Sequence, residues 1–310
     1  MTALSAPRLG IALILIGVTL ISINAMLIKD LSDAFALHQL VFLRSGIAIW
    51  IAFAFLRMEG GLSLLKTRRP GLHALRALMI VAANLTFFAA LAVMPLGLAT
   101  AVFFVAPLFI TLLSIPVLGE TVGPRRLIAV GVGFAGVLVM VETKGAADVP
   151  LWTFLLPVFA ALFYAGMQVL TRKLGAASTA SAMSIYIHVA FLLTSALVFL
   201  VAGDGRWLPM VENESLQFLL RPWIWPDAAE WGRILSIGVM GGVIGYALSQ
   251  AYRSADAGLI APFEYVALPM AIFWGWLIFG EEPGLRLWIG SAMIAGAGIF
   301  VLLREARLNS

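Results

Sequence analysis

The residues of this chain that could do chemistry lie almost entirely inside long apolar runs. Glu264 stands within the run 257–279. A carboxylate at that depth in a bilayer costs about 2.5–3.5 kcal/mol on insertion scales, so it must face a cavity or a partner rather than lipid. It could carry a coupling proton, contact a substrate amine, or bond to a neighbouring helix. Arg44, in the run 36–56, reads either as a ligand for a substrate carboxylate or as a snorkelling side chain. His188, in 180–202, is its counterpart in the second half of the chain, as a proton relay or as a satisfied hydrogen-bonding group. Neutral polar residues surround these three. Tyr164 and Gln168 are four residues apart, as are Tyr246 and Gln250, so each pair shares one helix face. Asn24, Asn84, Thr100 and Tyr265 complete the set. Such groups suit a small polar organic molecule, and no metal or cofactor is expected. The chain has no cysteine, and its three histidines (His38, His73 and His188) lack metal-ligand spacing. The His-Glu-x-x-His, Gly-x-Ser-x-Gly and glycine-lysine phosphate-loop patterns are also missing. Transport through a cavity is therefore a better reading than catalysis.

The elements that must position these residues are membrane helices. Sixty-two percent of the chain is apolar and 12% charged, against roughly 45–50% and about 25% in soluble domains. The net charge of +4 is spread over short loops rather than gathered in a patch, so a nucleic-acid partner is not expected. A spanning helix needs about 20 apolar residues. Ten windows qualify: 9–28, 36–56, 73–93, 97–118, 124–142, 151–171, 180–202, 232–252, 257–279 and 285–303. The fold class predicted is an all-α polytopic membrane protein.

The chain also repeats itself. Met94-Pro-Leu-Gly97-Leu-Ala-Thr100 closes on Gly119-Glu120, and Ala255-Asp-Ala-Gly258-Leu-Ile-Ala261 closes on Gly280-Glu281 at an offset of 161 residues. Ten helices in two repeats give five each, an odd number, so the second repeat enters the membrane from the opposite side. The units predicted are 8–145 and 150–304, with an outer loop at 203–231. Positive-inside bias places both termini in the cytoplasm, with Lys66, Arg68, Arg69, Arg125, Arg126, Arg172, Lys173, Arg304 and Arg307. The outer loop carries Trp207, Trp223, Trp225 and Trp231, which reads as an interfacial anchor or a lid.

Glycine and proline mark the places where helices approach or break. Gly238, Gly242, Tyr246 and Gln250 recur every four residues, beside a second stripe of Gly241, Gly245 and Ser249. Both read as close helix packing or as a cavity wall. Pro107 and Pro269 occupy nearly equivalent places in the two repeats, and Pro262 adds a break. All three are candidate hinges, since interrupted helices at matching positions point to a transport site. The runs 124–142 and 285–303 hold almost no internal polarity and read as packing struts. The Gly-Glu pairs read as structural helix ends, not as ligands.

Two five-helix halves, Arg44-Ser45 in the second helix, and Gly-Glu closing the fourth and ninth helices resemble the drug/metabolite transporter superfamily in its ten-helix EamA-type branch. The resemblance implies a bacterial inner-membrane carrier working by alternating access, with helices 1, 3, 4, 6, 8 and 9 around the cavity. Within that branch the chain is similar to bacterial aromatic amino-acid exporters. Relatives that import S-adenosylmethionine or riboflavin give the alternative. The working expectation is an exporter of amino acids and related small amphipathic metabolites, whose rings stack on Phe87, Phe88, Phe103, Phe104, Tyr164, Tyr246 and Tyr265. A non-transporting receptor or an intramembrane enzyme is the rival from another class. The partners expected are a small-molecule substrate and the lipid bilayer; a monomer is compatible with this, and the sequence sets no oligomeric state.

Overall fold

The computed structural model describes residues 6–119, 123–140, 151–174, 178–254 and 261–308, and within these it is helical, with no strand. Glu120, Lys144 and the 255–260 stretch containing Gly258 lie outside the described residues. The α-helices are α1 (Ala6–Leu31), α2 (Leu37–Glu59), α3 (Pro70–Leu91), α4 (Leu96–Phe103), α5 (Ala106–Leu118) and α6 (Pro124–Met140) in the first half. The second half holds α7 (Leu155–Leu174), α8 (Ala180–Ala202), the short α9 (Glu214–Leu220), α10 (Ala228–Ser254), α11 (Ala267–Phe279) and α12 (Leu285–Leu308). Among the described residues, seven segments are long and apolar enough to cross a membrane, with α4 and α5 together forming one of them. Three shorter apolar stretches lie in α6, in α11 with the turn before it, and in α12. These helices are apolar nearly all round, because lipid covers what protein does not.

The helices pack in pairs that exchange under a swap of halves. α1 lies on α10 and α3 on α7; α2 crosses α8, α6 crosses α12, and α4 meets α11. One end of the bundle, here called upper, carries the α1–α2 and α3–α4 connections together with the 203–227 segment. There Gln39 exchanges two hydrogen bonds with the Ile224 backbone, Ser215 donates to the Ala89 carbonyl, and Arg233 pairs with Asp30. The lower end carries the α2–α3 and α7–α8 connections, where Tyr186 donates to the Leu65 carbonyl and Ser181 to Glu59. α1 starts and α12 finishes at this lower end.

Helical form changes at two matching places among the described residues. The first break separates α4 from α5 at Phe104 and Val105; the second is a 3-10 turn, Ala261–Val266, before α11. α5 opens at Ala106 and α11 at Ala267, the same 161-residue offset. The prolines begin these helices rather than kink them. Pro107 is the second residue of α5 and Pro269 the third of α11, where a missing N–H removes no intrahelical bond. Pro269 is also exposed on the bundle surface, and Pro262 lies within the 3-10 turn. Both helices then stop at a left-handed glycine, Gly119 at φ 74° and Gly280 at φ 66°.

Candidate functional site

Three helices converge on Arg44. Its side chain is buried, with 7% exposure. Nη2 donates to Asn84 Oδ1 of α3 at 2.8 Å, and Nη1 to Asn24 Oδ1 of α1 at 3.5 Å. Asn24 is held in turn by its own donation to the Ile237 carbonyl of α10, 2.9 Å. The guanidinium lies over two rings, Phe88 at 5.5 Å and Phe191 at 5.3 Å. So Asn24, Arg44 and Asn84, widely separated in sequence, form one buried cluster in the upper half. Arg44 does not snorkel: its charge is turned inward.

From Phe88 a chain of aromatic contacts runs through the bundle. Phe88 meets Phe87 at 5.7 Å, Phe87 meets Phe103 at 5.2 Å, and Phe103 meets Tyr164 at 5.4 Å. A branch passes from Phe103 to Phe104 and on to Tyr265 at 5.2 Å. Ring faces at these separations offer offset and edge contacts to a planar guest. Phe103 and Phe104, consecutive at the break, thus meet different rings, Phe87 and Tyr164 for one and Tyr265 for the other.

At its lower end this ladder becomes polar. Gln168 Nε2 donates to the Tyr164 hydroxyl at 2.8 Å. Glu264 precedes Tyr265 in the 3-10 turn Ala261–Val266, where Tyr265 ends the branch of the ladder. The Tyr265 hydroxyl is buried with no hydrogen-bond partner among the described residues. Arg76 of α3 is also buried here and donates to Thr171 Oγ1 at 2.6 Å. The sequence reading did not single out Arg76. Its signal was present, a cation inside an apolar window, but positive-inside bookkeeping treats arginines as loop residues.

Tyr246 is placed elsewhere. Its ring stacks on Phe55 of α2 at 4.0 Å, nearly parallel, and not on the ladder. The glycines of the same stripe explain why. A Cβ on Gly238 would strike Ile47 at 2.6 Å, and one on Gly242 would strike Ile51 at 2.6 Å and the Ala48 carbonyl at 2.9 Å. That stripe is the packing seam between α10 and α2. Gln250, one turn further on, is half-buried. The neighbouring stripe faces polar groups instead: Gly241 lies against Arg44, and Gly245 against Ser184 and the buried His188 of α8. Thr100 is buried in α4, which meets α11.

Glu281 is more than a helix end. Its carboxylate pairs with Lys29 Nζ at 3.2 Å and accepts the Leu96 N–H at 2.8 Å. Lys29 also donates to the Leu91 and Met94 carbonyls and covers the Phe279 ring. Three upper elements, the end of α1, the α3–α4 turn and the end of α11, are thus tied at one point. An open cleft of about 350 Å³ lies beside this tie, lined by Pro95, Gly97 and Pro283 among others, well apart from the aromatic ladder. Among the outer-loop tryptophans, Trp223 packs against His38, Phe42 and Phe199, whereas Trp225 stands exposed against Trp231.

Comparison with known proteins adds to this geometry. Residues 8–142 match the EamA-like transporter family. The chain is 30% identical over 263 residues to a riboflavin transporter of Vibrio cholerae, covering 84% of this chain and 81% of that protein. It is 26% identical over 301 residues to an S-adenosylmethionine uptake transporter of Rickettsia prowazekii, covering 97% and 95%. A solved crystal structure of a protein 22% identical shares the fold, with a TM-score of 0.66 over 98% of this chain and 99% of the other.

Proposed function

The chain belongs to the EamA-like transporter family of the drug/metabolite transporter superfamily and is a multi-pass bacterial inner-membrane protein, and from that premise we propose that it carries a small polar metabolite with a planar ring by alternating access. The substrate lies between two inverted five-helix repeats, 8–145 and 150–304, with both termini cytoplasmic. Seven long and three shorter apolar segments, and a helix packing that exchanges with the halves, support that architecture. The observation that carries the substrate class is the aromatic ladder from Phe88 to Tyr164, ending at Gln168 and Glu264. Rings hold the planar body, and the amide, phenols and carboxylate fix its polar edge. Glu264 either carries a coupling proton or contacts the substrate's amine.

Uptake of a riboflavin- or S-adenosylmethionine-like compound is the first reading, because relatives bear those names. Export of amino acids, aromatic ones included, is the second, favoured by the same ladder. Purified protein in liposomes loaded in turn with labelled riboflavin, S-adenosylmethionine or tryptophan separates them. Flux of one compound above empty liposomes names the class, and growth of a deficient strain on low external substrate gives the direction. Solute-dependent signalling or turnover without flux would replace the carrier by a receptor or an enzyme.

A further inference from the structure

Arg44 is a buried cation with no acid beside it. Among the described residues no carboxylate lies in ion-pair range of its guanidinium. Its partners are two amide oxygens and two ring faces. Burying an ion costs several kcal/mol even after relaxation. Hydrogen bonds to a charged group and cation–π contacts return part of that cost. The neutral partners therefore hold the guanidinium without cancelling its charge, and a site of net positive potential remains.

A second observation points to what fills it. Ser184 Oγ and His188 Nδ1 are buried and make no hydrogen bond among the described residues. Both residues lie one turn from Arg44 along α10. A Cβ on Gly241 would touch Arg44 Cγ at 3.6 Å, and one on Gly245 would meet Ser184 Oγ at 2.6 Å and His188 Nε2 at 4.0 Å. Phe191, which covers the guanidinium, lies on the same α8 face as His188. A cation, a hydroxyl and an imidazole thus lie within about one turn of each other along the α10 face, with no acid among them.

We propose that Arg44 seats a carboxylate of the transported metabolite, with Asn24 and Asn84 setting the guanidinium plane and Ser184 and His188 closing the site. This rests on the carrier reading above. One guanidinium matches one carboxylate in charge and in fork geometry, whereas a phosphate dianion would call for a second cation. Phe88 touches both Arg44 and the head of the ladder, so the carboxylate sits above and the ring below. The substrate is then an amino-acid-like compound with a carboxylate near a planar ring, and a neutral flavin is disfavoured.

The test uses the full chain in liposomes, with labelled tryptophan, S-adenosylmethionine, riboflavin and riboflavin 5′-phosphate as probes and tryptophanamide as competitor. Tryptophan should compete about 10- to 100-fold better than its amide, the worth of one charge-assisted hydrogen-bonded contact. Arg44→Gln should erase that preference, and Arg44→Lys should keep part of it. A purely structural arginine would lower the flux of every probe alike and leave the preference intact, which overturns the proposal. Riboflavin flux without flux of either carboxylate probe overturns it while leaving the carrier reading standing, and a preference for the phosphate ester that Arg44→Gln erases overturns it in favour of a phosphate site. Absence of flux for all probes sinks both readings. If Arg44→Gln fails to reach the membrane, the wild-type competition decides alone.

Discussion

At the residue scale, Tyr164 joins the two chemistries of the path, with its ring on Phe103 and its hydroxyl held by Gln168. Tyr164→Phe keeps the ring and removes one hydrogen bond, so affinity for the transported compound should fall by about 2- to 10-fold. Tyr164→Ala removes the stacking surface as well and should fall further; equal affinity for both variants would put the substrate elsewhere. Glu264→Gln keeps the shape and removes the proton-carrying group. If Glu264 couples transport to protons, an imposed gradient should stop accelerating flux while substrate exchange at equilibrium persists. The types of these residues were legible in the sequence, but not all of their groupings were. Asn24, Asn84 and Tyr164 read alike as neutral lining, yet the structure gives both asparagines to Arg44 and the tyrosine to Gln168. The Tyr164–Gln168 pair follows from its four-residue spacing, whereas the separations of 20 and 40 residues between Arg44 and its asparagines are closed only by helix packing, which no local pattern encodes.

At the element scale, glycine marks contact where the packing is tight and nothing where it is open. A Cβ on Gly136 of α6 would meet the Gly290 carbonyl at 2.9 Å, Ile294 at 3.0 Å and Met293 at 3.1 Å, whereas Gly131 has nothing within 4 Å. Gly136→Val should therefore destabilise the α6–α12 pair by about 1–3 kcal/mol. Gly131→Val should leave the unfolding temperature in detergent nearly unchanged. The sequence reading of these two helices as struts follows from their lack of polar groups. It could not rank their glycines, because the ranking depends on what α12 presents. The Lys29–Glu281 tie is an element-scale feature too. Both side chains are mostly buried, at 14% and 18% exposure, and together they close the upper ends of α1, α3 and α11. Glu281→Gln should loosen that end, so a cysteine placed at Leu96 should react faster with a membrane-impermeant thiol reagent than in the native background. Unchanged labelling would make the pair a passive surface contact.

At the scale of the whole molecule, the 161-residue spacing read from the sequence also separates the starts of α5 and α11, Ala106 and Ala267. The prolines read as candidate hinges, and the structure sets Pro107 and Pro269 in the first turns of α5 and α11, because the sequence shows where a proline is but not where a helix begins. Topology follows from the same symmetry. α1 starts and α12 finishes at the lower end, next to Lys66, Arg68, Arg69 and Lys173, while the 203–227 segment covers the upper one. Cations concentrate on the cytoplasmic side of short-looped membrane proteins, so the lower end should be cytoplasmic. Alkaline phosphatase inserted near Glu212 should then be active and the same reporter at the C-terminus inactive, with a green fluorescent fusion behaving conversely. Activity at both places would mean an even number of crossings between them. The halves would then no longer be inverted, and an exchange of packing partners could not convert one open face into the other. Alternating access in such a fold requires that inversion, which makes the fusion pair a test of mechanism as well as of orientation.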